Sequence, residues 1–196
     1  MNTFSFQCLP IFYKWLRSSG VLIEKKQVDK LEDIDADVIV NCTGLGAASL
    51  VGDTNLFPVS GHVLRVTCGS VGHVIADNRP DTWAYIIPNL EHVVLGSVDT
   101  EGSWNTSPGV KDKEDILRRC DKLHPGIKDC EVAAENVGLR PCRRGGVRCE
   151  LETIQTETGR KMIVCHNYGH GGSGVTLSWG CAGHVVKSLV SHLNLQ

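Results

Sequence analysis

The sequence has 196 residues, of which 41% are hydrophobic and 21% are charged, and its formal net charge is -2. This length fits one domain, or one domain with a fragment of another, and the composition excludes a disordered chain. No basic stripe is present, so we expect no nucleic-acid partner. No apolar run approaches the roughly 18 residues of a membrane helix, so we expect no membrane partner either.

The sequence contains nine cysteines, whose pattern indicates whether the protein resides in a reducing or an oxidising compartment. None of them forms a CxxC pair, and their number is odd. Reduced thiols in an intracellular protein explain this pattern better than a zinc site or a disulfide framework.

The first quarter of the chain predicts pieces of a parallel α/β layer. Residues 9–19 predict a helix that ends at Gly20, and residues 20–24 predict a strand. Residues 36–41, with the sequence ADVIVN, form an apolar and β-branched run. Such a run is typical of a parallel strand that is buried on both faces.

From His62 onward the pattern favours antiparallel strands. Residues 62–67 alternate in polarity, and residues 84–88 and 92–96 form two short runs separated by three turn residues. This spacing predicts a β-hairpin.

The remaining elements complete an α+β pattern. Residues 111–123 predict a polar helix that ends before Pro125. Residues 131–137 and 161–165 predict strands, and a helix from about residue 176 to residue 193 closes the chain.

The chain therefore combines two patterns of predicted secondary structure. Residues 1–58 and 163–196 predict parts of a doubly wound layer, and residues 59–162 predict an antiparallel α+β domain inserted into it. The predicted fold class is α/β plus α+β. Ligands often bind where two such domains meet.

A glycine-rich segment directly precedes the last predicted helix. Residues 166–176 read HNYGHGGSGVT, with four glycines between Gly169 and Gly174. Glycines let the backbone approach a flat ligand closely, and the start of a helix stabilises an anion. A flexible glycine-rich turn explains the same spacing equally well.

An arginine precedes a proline in the segment from Gly138 to Pro141. Such a residue lies on extended backbone, and a guanidinium can bind a carboxylate through two parallel hydrogen bonds. Apolar neighbours make Arg140 the candidate for a buried partner. For Arg143, Arg144 and Arg148 we expect a solvated basic face.

Three weaker signals accompany these two. Tyr85 lies in a predicted strand, and Thr43 follows a strand that ends in small residues, where ligands of α/β sheets bind. His166 and His170 have no third ligand at a suitable spacing, so we predict no metal site. Ser173 lies in no nucleophile motif.

Six segments occur in the order that is found in the D-amino-acid oxidase and D-aspartate oxidase family, which the chain resembles from roughly residue 8 to residue 190. The segments are Val38 to Gly44, Phe57-Pro58-Val59 with Gly61, Tyr85 to Pro88, Trp104-Asn105, Gly138 to Pro141, and His166 to Gly172.

The resemblance implies an FAD enzyme with a doubly wound FAD domain and an antiparallel substrate domain. Members of the family oxidise a D-amino acid to an imino acid, which hydrolyses to a 2-oxo acid and ammonia. Molecular oxygen then reoxidises the flavin and forms hydrogen peroxide. The resemblance also allows a homodimer.

The resemblance further assigns roles to individual residues. Arg140 would pair with the substrate carboxylate, Tyr85 would donate its hydroxyl to the same group, and the Gly172 carbonyl would accept from the amine. Arg140 and Tyr85 would thus act in catalysis by positioning the substrate for hydride transfer. The expected FAD contacts are Val28, Thr43, Gly171, Gly172, Ser173, Gly174, Val175 and Thr176.

Some features depart from the family pattern. The family's Gly-rich FAD fingerprint is not found in the sequence. An inactive truncated isoform or a pseudoenzyme that acts through protein association is therefore an alternative. Asp99 and Ala76 align with arginines of the aspartate oxidases, and Asp99 favours substrates with neutral or basic side chains.

The family resemblance predicts a peroxisomal location. The last three residues, from Asn194 to Gln196, do not form a peroxisomal tripeptide, which favours the cytoplasm instead.

Overall fold

A computed structural model describes residues 3–194, with side chains from Cys8 onward. The described chain forms two compact units. The first unit contains the residues up to Ser19 together with Val59–Leu139, and the second contains the chain from Gly20–Pro58 and from Arg140 onward. The assignment of an FAD-binding or substrate-binding role to particular segments stays a prediction.

The described elements follow one another in a mixed order. The helices are α1 (Thr3–Ser18), α2 (Ala47–Leu50), α3 (Val110–Leu123) and α4 (Gly174–His192). The strands are β1 (Val38–Asn41), β2 (Leu56–Thr67), β3 (Ile75–Asp77), β4 (Ala84–Pro88), β5 (Val93–Glu101), β6 (Glu131–Arg143), β7 (Arg148–Gln155) and β8 (Lys161–Tyr168).

The first unit is built on a five-stranded antiparallel sheet with the order β3-β4-β5-β2-β6. Strands β4 and β5 form the predicted hairpin, whose turn is closed by the Asn89 N–H donating to the His92 carbonyl at 2.9 Å. Helix α3 covers one face of this sheet. There its buried Ile116 packs with Ile86 and Leu95, and each such side chain stabilises the fold by about 1.5–3 kcal/mol.

The second unit contains a three-stranded sheet with the order β1-β8-β7. Strand β1 is parallel to β8, and its last residue, Asn41, pairs with His166, two residues before the end of β8. Strand β7 is antiparallel to β8. The segments that follow Asn41 and Tyr168 therefore leave the sheet at the same edge, where ligands of open α/β sheets bind.

Two expectations about the second unit are wrong. Residues 20–24 form no strand: Gly20 lies in a turn, residues 21–24 belong to no helix or strand, and Leu22 is 80% exposed. An apolar run makes a strand only where a neighbour completes the hydrogen-bond ladder. Strand β1 is not buried on both faces either, because Val40 is 45% exposed while Ile39 and Asn41 are buried.

Other elements extend further than their patterns indicate. Helix α1 begins at Thr3 and ends as expected before Gly20, which has a φ of 81°. Strand β6 continues through Arg140 and Pro141 to Arg143. Strand β7 was not expected, because its sequence RCELETIQ is rich in charge. Its pairing with β8 stabilises a segment whose composition alone indicates a loop.

Helix α4 packs on its unit along one side only. Val185 is buried, whereas Trp179 and Val186 are exposed. Within residues 3–194, no helix combines the length and the apolar character needed to cross a membrane.

Candidate functional site

Arg140 and Gly172 lie side by side in the second unit. Arg140 is partly buried near the end of β6. A Cβ atom added to Gly172 would lie 3.5 Å from Cδ and 3.7 Å from Nε of Arg140. The structure thus brings together a guanidinium and an exposed glycine backbone, which sequence reasoning had singled out from segments far apart in the chain.

The turn that carries Gly172 requires glycine at two positions. Gly169 has a φ of 86°, and a Cβ there would lie 2.8 Å from the Arg143 Cβ. Gly171 has a φ of 55°, and a Cβ added to it would lie 3.1 Å from the Cys142 Sγ. Both conformations strain any residue with a side chain, so the glycines set the path of this turn.

The turn leads directly into the 19-residue helix α4. The side chain at its start, Ser173, makes no capping hydrogen bond, and Ser173, Val175 and Thr176 are exposed. The first N–H groups of a helix carry positive partial charge. A bare glycine backbone next to such a helix start fits a flat ligand with an electron-rich edge.

Thr43 is fixed at the end of β1 by the buried Asn41. The Asn41 Oδ1 accepts from the Thr43 N–H at 3.2 Å and from the Thr43 hydroxyl at 2.7 Å. The hydroxyl proton of Thr43 is therefore already donated to Asn41. Since Thr43 itself is exposed, its hydroxyl oxygen offers only lone pairs to a ligand at this edge.

His166 links this corner to a larger polar network. Its Nε2 lies 2.9 Å from Oε2 of Glu152, and its Nδ1 lies 3.3 Å from the Asn41 amide nitrogen. Burial lowers the pKa of His166, and the hydrogen bond with His166 lowers the pKa of Glu152. A neutral imidazole satisfies both contacts by donating from Nε2 to the carboxylate and accepting at Nδ1 from Asn41, and the lowered pKa favours this form.

The network continues from Glu152 to a buried carboxylate, Asp53. Arg148 donates to Glu152 at 2.9 Å and to the Tyr168 hydroxyl at 3.0 Å. The Tyr168 hydroxyl donates to Asp53 at 2.9 Å, and Asp53 also accepts from Arg143 Nε at 2.8 Å. Hydrogen bonds therefore connect Arg143 to Thr43 without interruption.

Asp53 is ionised because of these partners. Burial by itself raises the pKa of this carboxyl, but the hydrogen bond from Arg143 outweighs it together with those from the Asn55 N–H and Tyr168. The resulting pKa is about 2. A charge that is buried in this way is stable only while its partners are present.

The expectation of a solvated basic face is wrong for two of the three arginines. The side chains of Arg143 and Arg148 are only 19% and 18% exposed, because both belong to the network. Only Arg144 is exposed, with its guanidinium 5.5 Å from the centre of the Phe57 ring. Glu150 and Glu152, at alternate positions after Arg148 on one strand, were the sequence signal for this pairing.

Tyr85 lies in the first unit, on β4. Its ring covers Gly96 of the neighbouring strand. The adjacent Ile86 packs under α3, so Tyr85 faces the opposite side of the sheet. The edge of the Trp83 ring contacts the Tyr85 ring at a centroid distance of 6.1 Å.

A carboxylate shares this face of the sheet. Val98 packs against the α3 core, so the next residue, Asp99, projects to the other side. The Ser97 hydroxyl donates to Asp99 at 2.7 Å and accepts from the Trp83 indole N–H at 3.3 Å. The sheet therefore holds a phenol and an anchored carboxylate on one face.

The other candidate residues keep the status of predictions. Val28 is partly buried in the segment before β1 that forms no helix or strand. Gly174 begins α4. In the described part of the chain, no group of three or more His, Cys, Asp or Glu residues is placed to hold a metal ion.

A family model described as "FAD dependent oxidoreductase" matches residues 14–188. The chain belongs to this family. The predicted cofactor of the family, FAD, is thereby confirmed.

Comparison with individual proteins shows which members of this family are similar to the chain. The chain is 44% identical over 170 residues to a D-amino-acid oxidase of Rubrobacter xylanophilus, covering 85% of this chain and 51% of that protein. It is 39% identical over 176 residues to the human D-aspartate oxidase, covering 89% of this chain and 50% of that protein. The resemblance to this group is thus confirmed, and the chain spans about half the length of these relatives.

Solved structures confirm the fold class. Glycine oxidase from Geobacillus kaustophilus superposes with a TM-score of 0.62 at 24% identity, over 78% of this chain and 41% of that one. Glycine oxidase from Bacillus cereus superposes with a TM-score of 0.65 at 19% identity, over 78% of this chain and 42% of that one. At this level of identity the likeness concerns the fold alone.

Proposed function

We propose that this chain forms the amino-acid-binding part of an FAD-dependent oxidase of D-amino acids. The observation that carries the proposal is the position of Gly172 beside the Arg140 side chain, in a glycine turn that leads into a helix. The overall reaction converts a D-amino acid, oxygen and water into a 2-oxo acid, ammonia and hydrogen peroxide.

The chain's own residues would orient the substrate. The Arg140 guanidinium would bind the α-carboxylate through two parallel N–H bonds. The Gly172 carbonyl beside it would accept from the substrate amine, and the Tyr85 hydroxyl would donate to the carboxylate. Oriented binding of this kind lowers the barrier by removing rotational freedom before the reaction.

The turn and the end of β1 fit the cofactor. FAD, when bound, supplies the acceptor for the two electrons of the amino acid. Residues 171–176 would hold its ring system from the helix start, which stabilises negative charge. Thr43 would contribute an acceptor oxygen, since its hydroxyl proton is bound to Asn41. Val28 would lie near the cofactor on the sheet side.

The test is an absorption experiment on the purified chain. After incubation with FAD and desalting, the chain should retain the visible absorbance of the flavin. Adding D-alanine without oxygen should bleach it, and readmitting oxygen should release hydrogen peroxide. Arg140→Met should keep the flavin and slow the bleaching by roughly 100-fold, because one charged pair is lost.

A matched variant separates this effect from a general loss of charge. Arg144→Met removes an exposed arginine from the same segment and should bleach at the rate of the unmodified chain. Bleaching of Arg140→Met at that same rate would contradict the role of Arg140. A chain that retains no flavin would contradict the proposal and favour an inactive form that acts through association.

Asp99 sets the expected preference among substrates. An anchored carboxylate on the Tyr85 face repels acidic side chains and attracts basic ones. Asp99→Asn should lower the ratio of kcat/KM for D-lysine over D-glutamate by about tenfold. Asp129→Asn, which removes an exposed carboxylate elsewhere in the same unit, should leave the ratio unchanged. If both variants keep the original ratio, Asp99 does not face the substrate.

A further inference from the structure

The first unit contains two neighbouring cysteines that are not among the candidate site residues. Cys68 directly follows β2, and Cys130 directly precedes β6. These strands are neighbours in the antiparallel sheet, so the end of one lies beside the start of the other. Both thiols are partly buried against the core of the unit, and they share a hydrogen bond.

A proton route leads away from Cys68. Its Sγ lies 3.3 Å from the Ser70 hydroxyl oxygen, and that oxygen lies 2.9 Å from Nε2 of His124. Ser70 and its hydroxyl are exposed, so the route ends at the surface. A thiol proton can thus pass through the hydroxyl to an imidazole, which is the arrangement that activates a cysteine.

The two thiols differ in their readiness to ionise. The hydrogen bond from Cys130 lowers the pKa of Cys68, and the hydrogen bonds with Ser70 lower it further. Burial raises the pKa of Cys130 to about 11, and its hydrogen bond with Cys68 adds to this. Because Cys68 is also the thiol that contacts the Ser70 hydroxyl and, through it, His124, we take Cys68 as the sulfur that attacks and Cys130 as the one that resolves the intermediate.

We propose that Cys68 and Cys130 form a dithiol site that reduces hydrogen peroxide and closes into a disulfide. The Cys68 thiolate attacks one peroxide oxygen, the O–O bond breaks, and the leaving hydroxide takes a proton to form water. Cys130 then attacks the sulfur of the Cys68 sulfenic acid. The S–S bond forms while the S–O bond breaks, and the Cys130 proton leaves with the hydroxide as a second water.

The electrons balance in this sequence. Two thiols lose two hydrogens, and one hydrogen peroxide becomes two waters. The proposed oxidase reaction releases this oxidant, but the inference goes beyond that function and does not depend on it. The new bond joins the ends of two adjacent strands and should raise the melting temperature of the oxidised protein.

The test maps disulfides in the reduced chain after a brief exposure to hydrogen peroxide and alkylation of the remaining thiols. We expect a cross-link between the peptides that contain Cys68 and Cys130, reversed by dithiothreitol. Fragmentation must assign the bond to Cys130, because a tryptic peptide that contains it also contains Cys142. In Cys130→Ser, dimedone should label Cys68 as the sulfenic acid.

Controls distinguish this site from general oxidation. Ser70→Ala should slow formation of the cross-link by roughly tenfold, since the proton route is cut. Cys149→Ser removes a thiol that contacts Cys181 in the other unit and should leave the rate unchanged. The buried Cys120 and Cys165 should stay reduced.

Two results would overturn the proposal, and both come from the unmodified chain, whose folding is not in question. One is full alkylation of Cys68 and Cys130 after peroxide has oxidised other thiols. The other is a first disulfide between Cys149 and Cys181.

Discussion

Replacing Gly96 with alanine should destabilise the first unit by about 2 kcal/mol and displace the Tyr85 ring. The added Cβ would lie 2.6 Å from Cε2 of Tyr85, and closer still to Cζ and the hydroxyl oxygen. Gly96 pairs with Tyr85 on one side and with Val63 on the other, so the strand itself cannot move away. Urea unfolding and near-ultraviolet circular dichroism measure the two effects.

Gly138 offers a matched control for this substitution. It also lies in a strand, and a Cβ there would have no neighbour within 4 Å. Gly138→Ala should therefore change the free energy of unfolding by less than about 1 kcal/mol. Tyr85→Ala should restore stability to Gly96→Ala, because the two positions are coupled. If Gly96→Ala is as stable as Gly138→Ala, the ring does not cover Gly96.

Replacing Asp53 with alanine should destabilise the second unit by about 3–5 kcal/mol, because it leaves a buried charge without its partner. Asp53 accepts from both Arg143 and the Tyr168 hydroxyl. Asp35→Ala is the control: its weak pair with Arg160, at 3.9 Å on the surface, should contribute less than about 1 kcal/mol. Unfolding in urea near neutral pH measures both variants.

The effect of Asp53 should depend on pH in a defined direction. Its pKa is about 2 in the folded chain, against roughly 3.9 in an unfolded one. Between these values the unfolded chain binds more protons, so the stabilisation is complete above about pH 4 and is lost as the pH falls toward 2. The difference between the unmodified chain and Asp53→Ala should shrink over this range. A constant difference would mean that the charge of Asp53 is not what stabilises the unit.

Local sequence patterns predicted the fold correctly where residues that are neighbours in the sequence are also neighbours in space. The hairpin of β4 and β5 and helix α3 follow from alternation and from the stop at Pro125. The same reasoning wrongly predicted a strand at Val21 to Ile23, because this segment has strand propensity but no partner strand. Propensity shows what a segment can form, whereas pairing depends on the rest of the chain.

The candidate site was predictable only in part for a similar reason. Arg140 and the glycine turn stand out because apolar flanks and glycine spacing are local features. The salt bridge between Arg143 and Asp53 joins residues that lie 90 positions apart, and no sequence pattern near either residue indicates it. From the sequence alone, a charged residue is expected to be solvent-exposed unless its counterion can be identified. The network that contains Arg143 and Asp53 could therefore be recognised only in the structure.

The triad of Asn41, His166 and Glu152 has a consequence for natural variation. Its members lie 125 and 14 positions apart, so no single local motif contains all three. Replacing one of them alone leaves a buried donor or acceptor without a partner, which selection tends to remove. Chains of this kind should therefore exchange the three residues together. Covariation across an alignment, rather than invariance at any single position, would be the trace that this hydrogen-bonded triad leaves in evolution.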